Sequence, residues 1–389
     1  MNIVFGDLDT RANLLPLTYT RPTSHLRCGI VSLGEKWMNY LQGRLSHATA
    51  PFLSEQFPIS LADDNLLVNP LVLPTEELIT EIHYLDTGSS LHKGHHWIAA
   101  RISHDTLIHY TLSGNLATEQ IAYKGDVEVI EYPWHLFQQN SAQILSDFAR
   151  ITRGRKSALA HESATLIGDN IFIEEGAQVV NCSLNSMDGP IYIGKNSKIL
   201  DGAFIRGPFA LCEGATVNMG AKIKDGTTIG PHSKVGGEVG NSILIGYSNK
   251  GHDGYLGNSV IGEWCNLGAD TNTSNLKNNY SNIRVWNYPL QKAIDTQTQF
   301  CGLIMGDHSK CGINTMFNTG TVVGVSANIF GGDFPPKYIP SFAWGGSAGF
   351  DTYKFDKAIE VAERVMARRN KTLGKTETAV LQHIFNEKN

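Results

Sequence analysis

The chain is predicted to be an α/β domain followed by a parallel β-helix of six-residue repeats that ends in helices. Three observations carry this. Ile193, Ile199, Ile205, Leu211, Val217, Ile223, Ile229 and Val235 follow one another at intervals of six without a slip. The fourth residue after many of them is small (Ala203, Ala215, Ala221, Thr227, Ser233), and the first four of these are preceded by a glycine, at 202, 214, 220 and 226. The 39 glycines among 389 residues, about 10% against a typical ~7%, lie mainly beyond residue 165.

A period of six fits neither an α-helix, with its period of 3.6, nor a strand that alternates every two residues. It fits a short strand and a turn repeated on each side of a three-sided coil, about 18 residues per turn, with one aliphatic side chain pointing inward per side. Glycine serves the corners because the backbone there takes positive φ. Ile167, Ile173 and Val179 carry the period earlier, and Met305, Cys311, Phe317, Val323 and Ile329 resume it later. Residues 159–332 are therefore expected to form one prism, with excursions at roughly 236–262 and 268–300.

A solenoid exposes its end coils and needs caps. Residues 333–389 are expected to supply them: an extended Gly- and Pro-rich segment, an amphipathic helix over Tyr353 to Arg369, and a shorter helix near Glu377 to Asn386 whose apolar side chains meet a neighbouring subunit. Residues 1–135 show no repeat and mix strand-like runs with helical stretches, as an α/β domain does. Residues 136–158 read as a helical linker.

A net charge of −5 and a pI near 6.3, with no basic run, argue against a nucleic-acid partner. MNIVFGDLD lacks the segments of a signal peptide and no run of 18 apolar residues exists, so a cytoplasmic chain without membrane insertion is expected. The six cysteines lie far apart, with no C-x-x-C pair, and are read as reduced and buried thiols rather than metal ligands. His92, His95 and His96 in LHKGHHW are read as solvated or packing residues, since adjacent histidines in a strand point to opposite faces. No metal-ligating set is assigned.

Chemistry is expected where loops break the repeat. Acyl transfer to an amine or hydroxyl needs a base near neutral pKa, which histidine supplies, and His252 sits in NKGHDGYLG with glycines on both sides. In the first domain, TRANLLPLTYTRP (residues 10–22) is similar to the opening loop of sugar-1-phosphate nucleotidyltransferases, although the glycines that bring phosphate to bare backbone N–H groups are missing. Arg11 and Arg21 are the candidate phosphate donors. Asp7, Asp9, Asp63, Asp64 and Asp126 are carboxylates without a diagnostic spacing.

The chain resembles the bifunctional N-acetylglucosamine-1-phosphate uridylyltransferase and glucosamine-1-phosphate acetyltransferase family, in particular a variant branch from Bacteroidetes-type bacteria with a shortened amino-terminal half. The similarity is strong over residues 190–332 and weak before 150. The resemblance implies a left-handed coil, a homotrimer, acetyl-CoA as donor, and a sugar phosphate or nucleotide sugar of cell-envelope biosynthesis as substrate.

Carried over position by position, His252 in KGHDGYLG matches the catalytic base, Tyr255 a tyrosine that contacts the sugar phosphate, Glu238 an active-site glutamate fourteen residues before the base, and Asn275 in NLGADTNTSN an acceptor-contacting asparagine. Three family residues are lost. Leu276 replaces a tyrosine, Gly240 replaces a lysine, and PFALCEG has no counterpart to an arginine. Lys250 and Arg206 are the candidate replacements for sugar-phosphate binding, with Lys277 and Arg284 further options.

The leading expectation is acetyl transfer from acetyl-CoA to an amino-sugar phosphate with His252 as general base. The alternatives are nucleotidyl transfer from UTP or dTTP to a sugar 1-phosphate by residues 1–135 with Mg²⁺, and a non-catalytic nucleotide-sugar binder.

Overall fold

The computed structural model describes residues 1–387. Apolar strands open the chain. β1 (Asn2–Gly6), β2 (Arg44–Ala48), β3 (Asn65–Val68), β4 (Ser89–Lys93), β5 (His96–Ile102) and β6 (Glu119–Ala122) form one sheet in the order β2-β1-β3-β5-β4-β6. β1 runs parallel to β2 and β3, and β5 antiparallel to β3 and β4. Alternation in β1 sorts its side chains between the two faces. Ile3 and Phe5 pack on α1 (Leu33–Met38) and α2 (Glu76–His83) through Trp37, Leu78 and Ile82. Val4 packs on α3 (His104–Ser113) through Leu107 and Tyr110. Ser32 and Glu35 close a capping box at the start of α1, which satisfies two otherwise orphaned N–H groups.

The prism is present. Three sheets of six, nine and ten strands run along it, parallel except for the last strand of the ten, Gly349–Thr352, and Val217, Ile223, Ile229 and Val235 are all buried in one continuous core. All six cysteines are free and buried. At the corners, non-glycine residues with positive φ recur, among them Asn196, His232, Asn241, Tyr247, Trp264 and His308.

The expected excursion at 236–262 is not an excursion. Coils continue through Glu238–Gly240, Ile243–Gly246, Asn249–Lys250, Tyr255–Gly257 and Val260–Glu263, each in parallel register with the coil before. Glu238 pairs with Lys222, Ile243 with Thr228 and Asn249 with Lys234, so corners have shortened and the period of six is lost while the fold persists. The second excursion is real. It leaves the prism after Thr273 and forms an antiparallel hairpin, Arg284–Asn287 with Lys292–Asp295. The solenoid also runs past 332, since Tyr338–Ile339 and Ala343–Gly346 add further rungs.

α4 (Pro133–Ile151) is more than a linker. Leu136 and Phe137 pack on outward-facing Ile243, Ile245, Val260, Ile304 and Val322 of the nine-stranded face, and Asn140 Nδ2 donates to the Gly226 carbonyl at 2.7 Å. Asp147 is buried against Lys36 Nζ at 2.6 Å, tying the helix to the first domain. That face of the prism is therefore covered by the chain itself.

α5 (Phe355–Ala367) and α6 (Lys375–Glu387) end the described chain. The apolar side chains of α6 do not await a neighbour: Val380, Leu381 and Ile384 are buried with Leu53 and Phe342. Among the described residues, no helix is long and apolar enough to cross a membrane.

Candidate functional site

The six-stranded face of the prism brings together three of the sequence-predicted residues, Glu238, Tyr255 and Asn275. Lys222, Glu238 and Tyr255 stand opposite one another on successive strands, which in a sheet puts their side chains in one row about 4.8 Å apart. Asn275, where the second excursion departs, donates from Nδ2 to the Tyr255 hydroxyl at 3.0 Å and to Asn258 Oδ1 at 2.7 Å. Gly257 leaves room for this pair: a Cβ there would sit 2.2 Å from the Tyr255 hydroxyl oxygen and 2.8 Å from Asn275 Nδ2, so either side chain would have to shift. Burial raises the Tyr255 pKa, so the phenol stays protonated and available as a donor.

Glu238 is not free. Its carboxylate pairs with Lys224 Nζ at 2.6 Å, and that contact raises the Lys224 pKa. Lys224 lies on the preceding coil, where a Cβ on Gly240 would meet its Cβ at 3.1 Å. The space left by the lost lysine at 240 is thus filled by a lysine sixteen residues earlier. Sequence reasoning missed Lys224. The coil register would have found it, because residues directly above one another in a solenoid are about one turn apart in sequence.

His252 is exposed at the corner between the strands Asn249–Lys250 and Tyr255–Gly257. Its imidazole makes no hydrogen bond among the described residues, and its carbonyl passes beside Gly237, where a Cβ would lie 2.9 Å from it. The base candidate thus stands at an exposed corner, three residues before Tyr255 in the chain.

Lys250 and Arg206, the expected sugar-phosphate ligands, lie outside this row. Lys250 occupies an inward position opposite Val235 and is buried. Burial lowers its pKa to about 8, and its ammonium holds the carbonyls of His252 and Asp253. It braces the loop rather than facing solvent. Arg206 is exposed and paired with Asp188, on a strand two rungs from Glu238 and three from Tyr255. Lys277 and Arg284 spend donors on Asn282 and Ala293 carbonyls.

The phosphate candidates of the first domain are also engaged. Arg11 donates to the Thr18 carbonyl and lies over the Phe52 ring at 5.2 Å. Arg21 is buried between the domains, paired with Asp307 and, at 3.2 Å, with Glu263 of the prism. Burial opposes its charge, but the two carboxylates outweigh that and raise its pKa. It lines a cavity of about 520 Å³ between the domains that also meets His25, His47, Tyr247, Trp264 and His308.

The candidate carboxylates do not converge into a Mg²⁺ cradle. Asp7 is buried and accepts the Thr23 N–H at 2.7 Å, while Asp9 accepts from Trp97 Nε1 at 2.9 Å and the Tyr110 hydroxyl at 3.3 Å. Asp64 pairs with Arg101, and Asp63 and Asp126 are exposed. Nor do His95 and His96 point apart as expected. The chain reverses at Gly94, with φ +60, and Lys93 pairs with His96, so His95 is in the turn, outside the alternation of the strands.

Residues 2–156 match the family described as sugar nucleotidyl transferase. The chain is 35% identical over 118 residues to the bifunctional protein GlmU of Methanocaldococcus jannaschii, covering 30% of this chain and 26% of that protein. It is 29% identical over 146 residues to a bifunctional sugar-1-phosphate nucleotidylyltransferase/acetyltransferase of Sulfurisphaera tokodaii, covering 37% and 36%. It is 26% identical over 166 residues to an uncharacterized acetyltransferase, YaiX, of Escherichia coli, covering 42% and 66%. The matches to the two bifunctional proteins thus span only about a quarter to a third of their lengths. Among solved structures, the polySia-specific acetyltransferase NeuO aligns at 17% identity and TM-score 0.31, covering 54% of this chain and 99% of that one. An Arabidopsis UDP-N-acetylglucosamine acyltransferase aligns at 15% and 0.29, covering 58% and 88%.

Proposed function

We propose that the chain is a transferase of sugar-phosphate or nucleotide-sugar metabolism whose prism moves an acetyl group from acetyl-CoA to an amino-sugar phosphate. The observation that carries this reading is the row on the six-stranded face, where the Tyr255 hydroxyl meets the Asn275 amide and Lys224 pairs with Glu238, with the exposed His252 three residues before Tyr255 in the chain. The partial matches to bifunctional nucleotidylyltransferase/acetyltransferases support the reaction class.

In this reading Lys224 and Tyr255 hold the phosphate and sugar hydroxyls by charge-assisted and neutral hydrogen bonds. The acceptor amine attacks the thioester carbonyl, His252 removes its proton, and coenzyme A leaves as the thiol. The His252 imidazole has no hydrogen-bond partner among the described residues, and in this reading a neighbouring prism of a homotrimer completes the groove that encloses the reaction. The six- and ten-stranded faces are the ones α4 and the first domain leave available for that contact.

The test is acetyl-CoA turnover with glucosamine 1-phosphate and related amino-sugar phosphates, comparing the wild-type chain with His252→Ala. A general base contributes about 10²–10⁴-fold, so a loss of that size is expected while the thermal midpoint stays fixed. Unchanged turnover would remove the assignment of the base.

A second reading, nucleotidyl transfer by residues 1–135, is favoured by the family match over residues 2–156. The scattered carboxylates and the engaged Arg11 and Arg21 do not fit it. Pyrophosphate release from UTP or dTTP with a sugar 1-phosphate, lost on Arg11→Ala, would reinstate it.

A further inference from the structure

At the tip of the β4–β5 hairpin, His95 Nε2 and His96 Nε2 converge on the same carboxylate oxygen, Glu131 Oε1, at 3.6 and 3.4 Å. Both separations exceed the 2.7–3.2 Å, roughly, of an ordinary N–H···O hydrogen bond. They match another geometry. Zinc–nitrogen and zinc–oxygen bonds of about 2.0–2.1 Å in a tetrahedron place neighbouring ligand atoms about 3.3–3.4 Å apart. All three atoms lie within 4.8 Å of one another, and no other group of three or more His, Cys, Asp or Glu among the described residues is so arranged.

The backbone holds this arrangement in place. The turn at Gly94 brings two consecutive histidines to one side, their ring centroids 3.8 Å apart. Glu131 follows the fully buried Ile130, whose N–H donates to the Leu71 carbonyl at 2.9 Å. The Glu131 N–H in turn donates to His135 Nδ1 at 3.3 Å, on the first turn of α4. Two imidazoles and one carboxylate form a donor set suited to zinc and its neighbours rather than to magnesium or calcium, which prefer oxygen ligands.

We propose that His95, His96 and Glu131 bind one divalent transition-metal ion, zinc in the first instance, through His95 Nε2, His96 Nε2 and Glu131 Oε1, with water completing the shell. His95 is exposed and the other two half-buried, so the ion enters directly from solvent. The bound ion clasps the hairpin of the first domain to the segment that leads into α4, the helix docked on the prism.

The experiment uses the full chain without an affinity tag, stripped with chelator and titrated calorimetrically with zinc chloride. One zinc per chain is expected, with a rise in thermal midpoint on saturation, since a ligand that binds the folded state stabilises it. His96→Ala and Glu131→Gln are each expected to weaken binding by at least about tenfold, roughly 1.4 kcal/mol, with circular dichroism unchanged. His161→Ala, an exposed histidine elsewhere, leaves binding intact. Cobalt(II) in place of zinc gives the visible absorption of a four-coordinate site, absent in His96→Ala. No saturable binding, or equal affinity in wild type, His96→Ala and Glu131→Gln, would overturn the proposal.

Discussion

Lys224 and Glu238 meet at 2.6 Å across two coils of the prism, and the lysine stem lies over the bare backbone of Gly240. Both side chains are substantially exposed, and exposed ion pairs contribute about 0–1 kcal/mol to stability. The pair's worth is therefore expected in ligand binding. Lys224→Met should leave the thermal midpoint within a degree or two and weaken the sugar-phosphate KM by roughly ten- to hundredfold, the loss of one charge-assisted contact of about 1.5–3 kcal/mol. Adding Gly240→Lys to Lys224→Met returns a cation to the same spot from the neighbouring coil, and KM should recover. A KM unmoved by Lys224→Met would take phosphate binding away from this row.

The six-residue period made the prism legible between Ile193 and Val235 because every inward aliphatic is spaced by equal sides and equal corners. It failed at 236–262 because shortened corners shift the inward positions without unwinding the coil. A different signal was present there. In Ile243-Leu244-Ile245 only Leu244 points inward; its neighbours are buried from outside by α4 and the first domain. Uninterrupted apolar runs mark a strand covered on both faces, and that pattern announces domain docking. Tyr255 and Asn275 stand in local motifs that a sequence displays directly, whereas the Lys224–Glu238 pair is made between coils and leaves no motif. The pairing of Arg21 with Asp307, 286 residues away, likewise leaves no local trace.

Lys250 stands inside an aliphatic core with its ammonium on the carbonyls of His252 and Asp253. A buried lysine without a carboxylate partner carries a desolvation cost that an apolar side chain of similar length does not. Lys250→Met should therefore keep or raise the midpoint of unfolding. The loop that carries His252 loses its brace, and a displacement near 1 Å at a reacting group can cost about 10²-fold. The expected result is a fall in kcat of that order with little change in the acetyl-CoA KM. Loss of stability with kcat retained would mean the lysine serves only the core.

His308 lies at a prism corner facing Arg21, Asp307 and Lys310. Burial lowers its pKa to about 3, and the nearby lysine and arginine act in the same direction. His47, across the same cavity, is lowered by burial to about 4. Both are neutral when folded, whereas in the unfolded chain they take up protons below about pH 6.5. The unfolded state binds more protons in that window, so stability is fully present above about pH 6.5 and is lost as pH falls toward 4. Denaturant unfolding at pH 7 and pH 5 should show the decline. His308→Asn, which suits the left-handed corner, should make the decline shallower while His47 retains its share, and an equally steep decline in that variant would exclude His308 as a source.

Arg21 of the first domain pairs with two carboxylates of the prism, Asp307 and Glu263. Asp307, itself buried, takes the Arg21 guanidinium, the Thr20 hydroxyl at 2.6 Å and the Glu263 N–H at 2.8 Å. Removing the arginine leaves a buried carboxylate with neutral donors only, and breaking one side of such a pair costs about 3–5 kcal/mol. Arg21→Ala should lower the unfolding free energy by that amount, and Arg21→Met with Asp307→Asn should recover most of it, because the orphaned charge is gone. If Arg21 instead served phosphate, Arg21→Ala would cost little stability and would abolish nucleotide binding by calorimetry. The paired geometry favours the first outcome: a phosphate could reach this guanidinium only by displacing two carboxylates already in contact with it.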